Sequence, residues 1–486
     1  MSKKLEITIL FFLLSVVVFF STFHLTESPS VWYDEGIYIQ TAANLEAGEG
    51  MTFQFAPDQL GNMMSRFTVG YPLIYLLALV FKIFGANILA ARGLMVFFIL
   101  ALVTVVYFFI KKRFGPVLAL WSLALVATFP PLYGNGKSVL GEVPGLLFLI
   151  VFLFIMRQVI SGRQSSTKSQ FMLAGLFAGL GVATKPVFLL FLPALVIGVY
   201  IAWRRKNLSP KNIGLIGAGV VLPLIVWFVT QFVIGSSGTS FLSVFNFYAN
   251  PYGIGNIIGV VKNNLINFLT EAGPLYLLII MLVWFLALII RKRKKDLIPA
   301  EEIIAFCFSV LVCLAYLRIA GWHRYIFPAQ VVALLYFVPS LYVCIQLVPK
   351  KIKIMRLGLP VTVVGLSLWG IYGLSFNSWV ADFYSSRKTA FWENYFKNVP
   401  VKESAFFYDT PEVAIFYPSR NYYQYLALPA AGGPFGAEGL SAIGKGDVDQ
   451  IIIRADTLES LGRGGKWFAK YRPKLQSYKY TILEKK

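Results

Sequence analysis

Runs of about twenty apolar residues recur along most of this chain, and that repetition leaves few folds open to it. A run of this length matches the ~30 Å hydrocarbon thickness of a bilayer when it is helical. Inside lipid only a helix or a closed barrel satisfies its own backbone, and unbroken apolar stretches lack the alternation of barrel strands. With 57% hydrophobic and 14% charged residues in 486, the polar surface is too small to cover a soluble globule. The expected class is an α-helical polytopic membrane protein.

Charge then orients the spans. The formal net charge is +21, a value that suggests nucleic acid in a soluble protein. Here the cationic clusters fall between apolar runs, where they mark the cytoplasmic side, and no nucleic-acid partner is expected. Lys3 and Lys4 precede a first span from Leu5 to Phe23 with no small-residue cleavage site after it, which reads as an uncleaved anchor with a cytoplasmic N-terminus. Further inside signals are Lys111-Lys112-Arg113, the segment Arg157 to Lys168, Arg204-Arg205-Lys206, Arg291 to Lys295, and Lys350-Lys351. Tyr71 to Phe84, about 14 residues, is short for a crossing and reads as interfacial or re-entrant. The remaining spans are Ile88–Ile110, Val117–Leu132, Val143–Met156, Phe171–Ala183, Val187–Trp203, Ile213–Ile234, Leu275–Ile290, Ile303–Leu317, Ile326–Val348 and Leu357–Phe376. Together they give about eleven crossings in a multi-pass cell-membrane protein, with the C-terminus outside. The stretch between Ile234 and Glu271, rich in Gly, Ser, Asn and Tyr, reads as an outer loop.

Two polar regions stand apart. Residues 25–70 form an outer loop within a membrane domain of residues 1–376, and a loop this long is usually functional. Residues 377–486 carry strand-like Ser404–Tyr408 and Gln450–Ile453 among helix-compatible segments, and predict a small extracytoplasmic α/β domain. Asp409-Thr410-Pro411-Glu412 reads as a turn entering a helix. Cys307, Cys313 and Cys344 lie in apolar spans without ligand spacing, so neither disulfides nor a cysteine metal site is expected.

The topology gathers ionisable residues at one surface. Asp34, Glu35, Arg66, Arg92, Lys137, Glu142, Lys185, Glu271, Arg318, His323 and Arg324 all fall at outer ends of helices, where ionisable groups at membrane depth are functional by default. Adjacent acids at Asp34-Glu35 among cations suit transfer of a sugar from a polyprenyl phosphate to an acceptor hydroxyl. A carboxylate would accept the hydroxyl proton, and cations would stabilise the departing lipid phosphate. No Gly-rich phosphate loop for a nucleotide sugar is present.

At these residues the chain resembles the membrane-embedded GT-C glycosyltransferases, in particular the protein mannosyltransferase and lipid A aminoarabinose transferase superfamily. The resemblance rests on Asp34-Glu35 in the first outer loop, Arg66 to Pro72, Glu142 followed by Pro144, the Gly175 to Pro186 hairpin, and His323-Arg324-Tyr325 with Pro328. It implies an inverting transferase that uses a polyprenyl-phosphate sugar and a lipid, polysaccharide or protein acceptor. Asp34 would be the catalytic base, Glu35 its positioning partner, and Glu142 the second acid. Glu142 would orient the acceptor or hold a divalent ion together with Asp34; no cofactor is otherwise implied. Arg66 would bind the lipid phosphate, although Phe67 to Tyr71 intervene where relatives have prolines. Arg324, with Lys185 and His323, supplies the other phosphate contacts.

Other readings give these residues plainer roles. Asp34-Glu35 could be the acidic first turn of an interfacial helix, Glu142 a loop acid paired with Lys137, and Arg66 and Lys185 snorkelling anchors. Rival functions are a transporter or flippase of lipid-linked sugars, which should show related halves and midplane charges, and a non-catalytic envelope assembly protein.

Overall fold

The structure, a computed structural model, describes residues 1–61, 69–160, 167–234, 256–319, 321–347, 358–375, 387–427, 436–437, 439–462 and 467–486. Arg66 lies outside the described residues.

The helices begin where capping chemistry allows. Helix α1 (Lys3–Thr22) starts at Ser2, whose hydroxyl accepts from the Leu5 amide, and the outer loop follows it. That loop is not featureless: it holds helix α2 (Tyr33–Glu46) and a hairpin of β1 (Phe53–Ala56) and β2 (Gln59–Gly61). Then come α3 (Tyr71–Phe84), α4 (Ile88–Phe114), α5 (Pro116–Ala127) and α6 (Pro131–Lys137), followed by α7 (Glu142–Ile160), α8 (Lys168–Thr184), α9 (Phe191–Arg204) and α10 (Pro210–Phe228). Beyond these lie α11 (Ile257–Thr270), α12 (Ala272–Arg293), α13 (Ala300–Arg318), α14 (Phe327–Ile345) and α15 (Gly358–Trp369).

Among the described residues eight helices are long and apolar enough to cross a membrane, or nine if α5 and α6, bent by 62°, form one broken span. The expectation of about eleven crossings counted two more. Those two are α8, of 17 residues, and the stretch Gly358–Leu374, which begins where the described residues resume and ends in a π-helical turn; at 1.5 Å per residue each lies at the short end of what crosses a bilayer. The stretch before Glu271, expected as loop, contains α11. Asn256 caps it by accepting from the Gly259 amide, and its exposed apolar residues include Ile258, Leu265 and Leu269, as in an interfacial amphipathic helix. Large apolar side chains such as Phe11, Phe12 and Phe19 on α1 also stand fully outward, which only a surrounding bilayer satisfies. Small residues let α8 and α10 approach closely: a methyl group added at Gly175 would meet the Ile216 carbonyl, and one at Gly179 the Val220 carbonyl, the small-residue packing common between membrane helices.

The C-terminal region forms the small α/β domain expected. Helix α16 (Lys388–Lys397) packs on a mixed five-stranded sheet of β3 (Ala405–Tyr408), β4 (Tyr422–Tyr425), β5 (Gln450–Arg454), β6 (Tyr471–Ser477) and β7 (Tyr480–Lys485). The strand order is β4-β3-β5-β7-β6; β3 runs parallel to both β4 and β5, and β7 antiparallel to β5 and β6. Successive strand residues face opposite sides. Phe407 and Ile452 therefore pack with Trp392 and Phe396 of α16, while Phe406, Ile451 and Ile453 pack with Ile443, Leu458 and Phe468 on the other face.

This domain packs on the loop between α1 and α3. The Glu27 carboxylate accepts from the Thr389 and Ala390 amides at 3.2 and 2.8 Å, so an acid of the loop caps the positive end of α16. Gln54 of β1 donates to the Arg420 and Tyr422 carbonyls, and Gln424 donates to Gln40 of α2 at 2.7 Å. Helix α2 approaches so closely that a side chain at Gly36 would meet the Pro411 carbonyl oxygen at 2.5 Å.

Candidate active site

Asp34 and Glu35 both lie in the first turn of α2, so the plain reading as an acidic helix start is correct as geometry. Their surroundings nevertheless differ completely. Glu35 is wholly buried and forms a two-pronged ion pair with the equally buried Arg92 of α4, at 2.9 Å from Nε and 2.8 Å from Nη2. It also accepts from the Trp32 and Val139 amides. The remaining Arg92 nitrogen, Nη1, donates to the Leu25 and Pro29 carbonyls at 2.8 Å each. This fork fastens both ends of the chain entering α2 to the membrane bundle, a geometry that arginine supports and lysine does not.

Asp34 points the other way. Its carboxylate retains 21% exposure and accepts from Arg324 Nη1 at 2.8 Å. Arg324 sits in a 3₁₀ turn, His323–Tyr325, that precedes α14. The Trp322, Tyr325 and Trp32 rings lie 5.0, 5.3 and 5.9 Å from its guanidinium carbon, within cation–π range. Its Nε is buried without a hydrogen-bond partner.

A second acid–base pair closes the site. Lys185, between α8 and the turn leading to α9, reaches the Leu140 carbonyl and the Glu142 carboxylate at 2.5 Å each. Glu142 therefore pairs with Lys185; the alternative partner, Lys137, donates to the Phe23 carbonyl at 3.0 Å. Lys185 is buried in an ion pair at the site and is not a snorkelling anchor. Its neighbour Thr184 accepts from the Gly70 amide at 3.0 Å, and a side chain at Gly70 would meet the Ala183 carbonyl at 2.0 Å. The chain entering α3 is thus tied to the lysine turn. The charges of Asp34 and Arg324 reach Lys185, and that of Glu142 reaches Arg324, so these four residues form one electrostatic cluster with two charges of each sign. His323 is turned to Glu271, whose carboxylate it meets through Nε2.

Several contacts carry no sequence motif. The Tyr33 hydroxyl donates to Asp409 of the outer domain at 2.7 Å, and Asp409 also accepts from the Ala427 amide. Burial, then the adjacent carboxylate, pushes the Tyr33 phenol well above its usual range, so it remains a neutral donor. Asn135 of α6 is buried with neither end of its amide hydrogen-bonded, and it shares a small cavity with His323, Arg324 and Gln330. The Asp409 turn was visible as a turn, but nothing in its spacing pointed to α2, 376 residues away.

The donor set does not suit a divalent ion. Asp34 and Glu142 are each engaged by a cation, and no group of three or more His, Cys, Asp or Glu residues is assembled among the described residues.

The bundle, the loop between α1 and α3 and the sheet domain together define the class: a polytopic membrane protein carrying a small α/β domain. Residues 72–229 match the family model described as dolichyl-phosphate-mannose-protein mannosyltransferase. Among solved structures, ArnT from Cupriavidus metallidurans in the apo state aligns with a TM-score of 0.60 at 12% identity, over 99% of this chain and 98% of that one. ArnT bound to undecaprenyl phosphate aligns at 0.55 and 10% over the same shares. The Archaeoglobus fulgidus oligosaccharyltransferase aligns at 0.58 and 12%, over 93% of this chain and 70% of that one. No curated protein sequence matches the chain. The resemblance read from the residues is borne out by the family model and the fold.

Proposed function

We propose that the protein is an inverting glycosyltransferase that moves a sugar from a polyprenyl phosphate to an acceptor hydroxyl at the outer membrane face. The observation that carries this reading is the Asp34–Arg324 pair: a partly exposed carboxylate held by a buried guanidinium that still has an unpartnered N–H. Such a pair offers an anion site and a base side by side. Undecaprenyl phosphate is bound in one ArnT structure, and dolichol phosphate with an inhibitory peptide in one AglB structure; both support a lipid phosphate as the donor's carrier.

The chemistry follows from the charges. A donor phosphate binds to the free edge of Arg324 and to Lys185, drawing Arg324 from Asp34 and leaving that carboxylate more basic. Asp34 then takes the acceptor's proton as its oxygen attacks the anomeric carbon, the bond to the phosphate oxygen breaks, and the departing charge remains with Arg324 and Lys185. A phosphate needs no acid to leave. Glu142 holds Lys185 in place, Glu35 positions Asp34 by anchoring the helix start, and His323 stays with Glu271 beside the phosphate site. An N-terminus in the cytoplasm and a sheet domain outside are part of this reading, supported by the positive-inside bias of the basic clusters. We propose 1–376 and 377–486 as the two domains.

The test is sugar transfer by the purified protein in nanodiscs, with a panel of synthetic polyprenyl-phosphate sugars and acceptor extracts, comparing wild type with Asp34→Asn. Turnover that disappears in the variant while donor binding persists supports the reading. Absence of turnover with every donor, together with movement of lipid-linked sugar across liposomes, would replace it with a transporter.

A further inference from the structure

The end of the bundle opposite the acidic loop contains a cavity of about 560 Å³, far larger than the one beside Arg324 and within the usual range of ligand sites. Helix α4 fixes its position: Arg92, near the start, holds Glu35, and Lys112, about 30 Å further along at 1.5 Å per residue, lines the cavity. Among the described residues, Lys112, Arg157 and Arg205 face this space with a single carboxylate, Glu301, and with apolar walls that include Phe154 and Leu297.

The charges there do not cancel. Glu301 is already taken, at 2.8 Å by Arg157 and at 3.9 Å by Arg113 behind it. The Arg113 Nη1 is buried and has no hydrogen-bond partner. Arg205 donates to the Ile298 carbonyl, and the Lys112 ammonium lies 5.5 Å from the Phe154 ring centre; neither forms an ion pair among the described residues. The cavity therefore presents two uncompensated cations above a buried, under-satisfied arginine, at the rim of a bilayer and beside apolar walls. A soluble anion would use only the cations. An amphiphile with a phosphate head would use both features, and basic pockets between membrane helices take such lipid heads.

We propose that this cavity binds the phosphate headgroup of an anionic phospholipid from the leaflet on the basic face, separately from the donor site. The experiment is native mass spectrometry of the full-length protein released from nanodiscs containing phosphatidylglycerol or phosphatidylcholine. The comparison is between wild type, Lys112→Gln/Arg205→Gln, Arg205→Gln alone, and a control, Lys294→Gln/Lys295→Gln, on the same face outside the cavity. Wild type and control should retain phosphatidylglycerol in preference to phosphatidylcholine. The double variant should retain it roughly 25-fold less, since each cation near an anionic lipid is worth about fivefold, and the single variant roughly fivefold less. The single variant serves alone if the double variant does not fold. Equal retention by the single variant and wild type would overturn the proposal, as would equal loss in the control, which would mean general surface attraction. Displacement of the lipid by millimolar glycerol 3-phosphate would overturn the lipid assignment in favour of a soluble phosphate ligand.

Discussion

The two ends of the membrane domain both bury ion pairs, yet they distribute them differently. At the basic end Glu302 is saturated: Arg113 donates to it, Arg291 meets both its oxygens at 2.8 and 2.7 Å, and the Trp284 indole adds a bond at 3.3 Å. At the acidic end Asp34 has one arginine contact and open surface, that arginine has an unused N–H, and one oxygen of Glu142 is buried without a partner. A carboxylate saturated in this way locks three helices together, although Arg113 keeps one buried, unpartnered N–H beside it. An unsaturated one leaves valences for a ligand, at a cost in stability that a purely structural site would not retain.

This contrast fails if substitutions at the two ends behave alike. The largest effect expected is on Asp34→Asn: transfer should fall roughly 100- to 10,000-fold with thermal stability unchanged. Glu302→Ala should do the reverse. It strands the buried Arg113 guanidinium and the partly exposed Arg291 and should cost about 3–5 kcal/mol of stability, read as a lower melting temperature in detergent, while the folded fraction keeps its turnover. A stable Glu302→Ala protein, or an unfolded Asp34→Asn protein, breaks the comparison.

Within the acidic end, Arg324→Lys keeps the charge and removes the fork. Donor affinity measured by titration with a non-transferable polyprenyl-phosphate sugar should fall about tenfold, in line with loss of one charged hydrogen bond; unchanged affinity would remove Arg324 from the phosphate site. Tyr33→Phe tests whether the outer domain positions Asp34. It deletes one hydrogen bond to Asp409, worth about 1 kcal/mol, and should lower turnover about fivefold while leaving donor affinity intact. Loss of donor affinity instead would place Tyr33 at the phosphate.

The smallest effect concerns Glu412, which lies beside the Pro411 contact with α2. Burial holds its carboxyl above the usual range despite Lys479, the Tyr480 hydroxyl and Arg454. A raised folded value favours the protonated form, so its contribution to stability is full below the unfolded carboxyl range and is lost as pH rises through the folded value. Glutamine stays neutral and can accept the Tyr480 hydrogen bond. The melting temperature of Glu412→Gln should therefore match wild type near about pH 4 and exceed it increasingly towards neutral pH. A variant that becomes less stable than wild type as pH rises would mean that the ionised pair with Arg454 dominates.

The spans were legible because each is a long apolar run whose identity depends only on its own residues, and Ser404–Tyr408 and Gln450–Ile453 were legible as strands for the same reason. The two shortest spans show the limit. α8 and Gly358–Leu374 are apolar enough, but a capping box at Thr167 starts the first and a π-helical turn ends the second. Helix α11 was hidden because its glycines and asparagines read as loop, although Asn256 acts as its cap. In the site, the acid pair and the cations were visible as types at one surface; their partners were not. The sequence offered Lys137 as the partner of Glu142, and only the fold brought Lys185, 43 residues away, to it instead.

From sequence alone the chain was committed to a membrane bundle with an outer domain and with acids and cations gathered on one side, because hydropathy and charge act locally and add along the chain. Tertiary structure decided that two adjacent carboxylates would differ, Glu35 sealed against Arg92 and Asp34 left open to Arg324. The reason is geometric: consecutive residues on a helix point about 100° apart, so what each one meets depends on which distant helix is packed on that side.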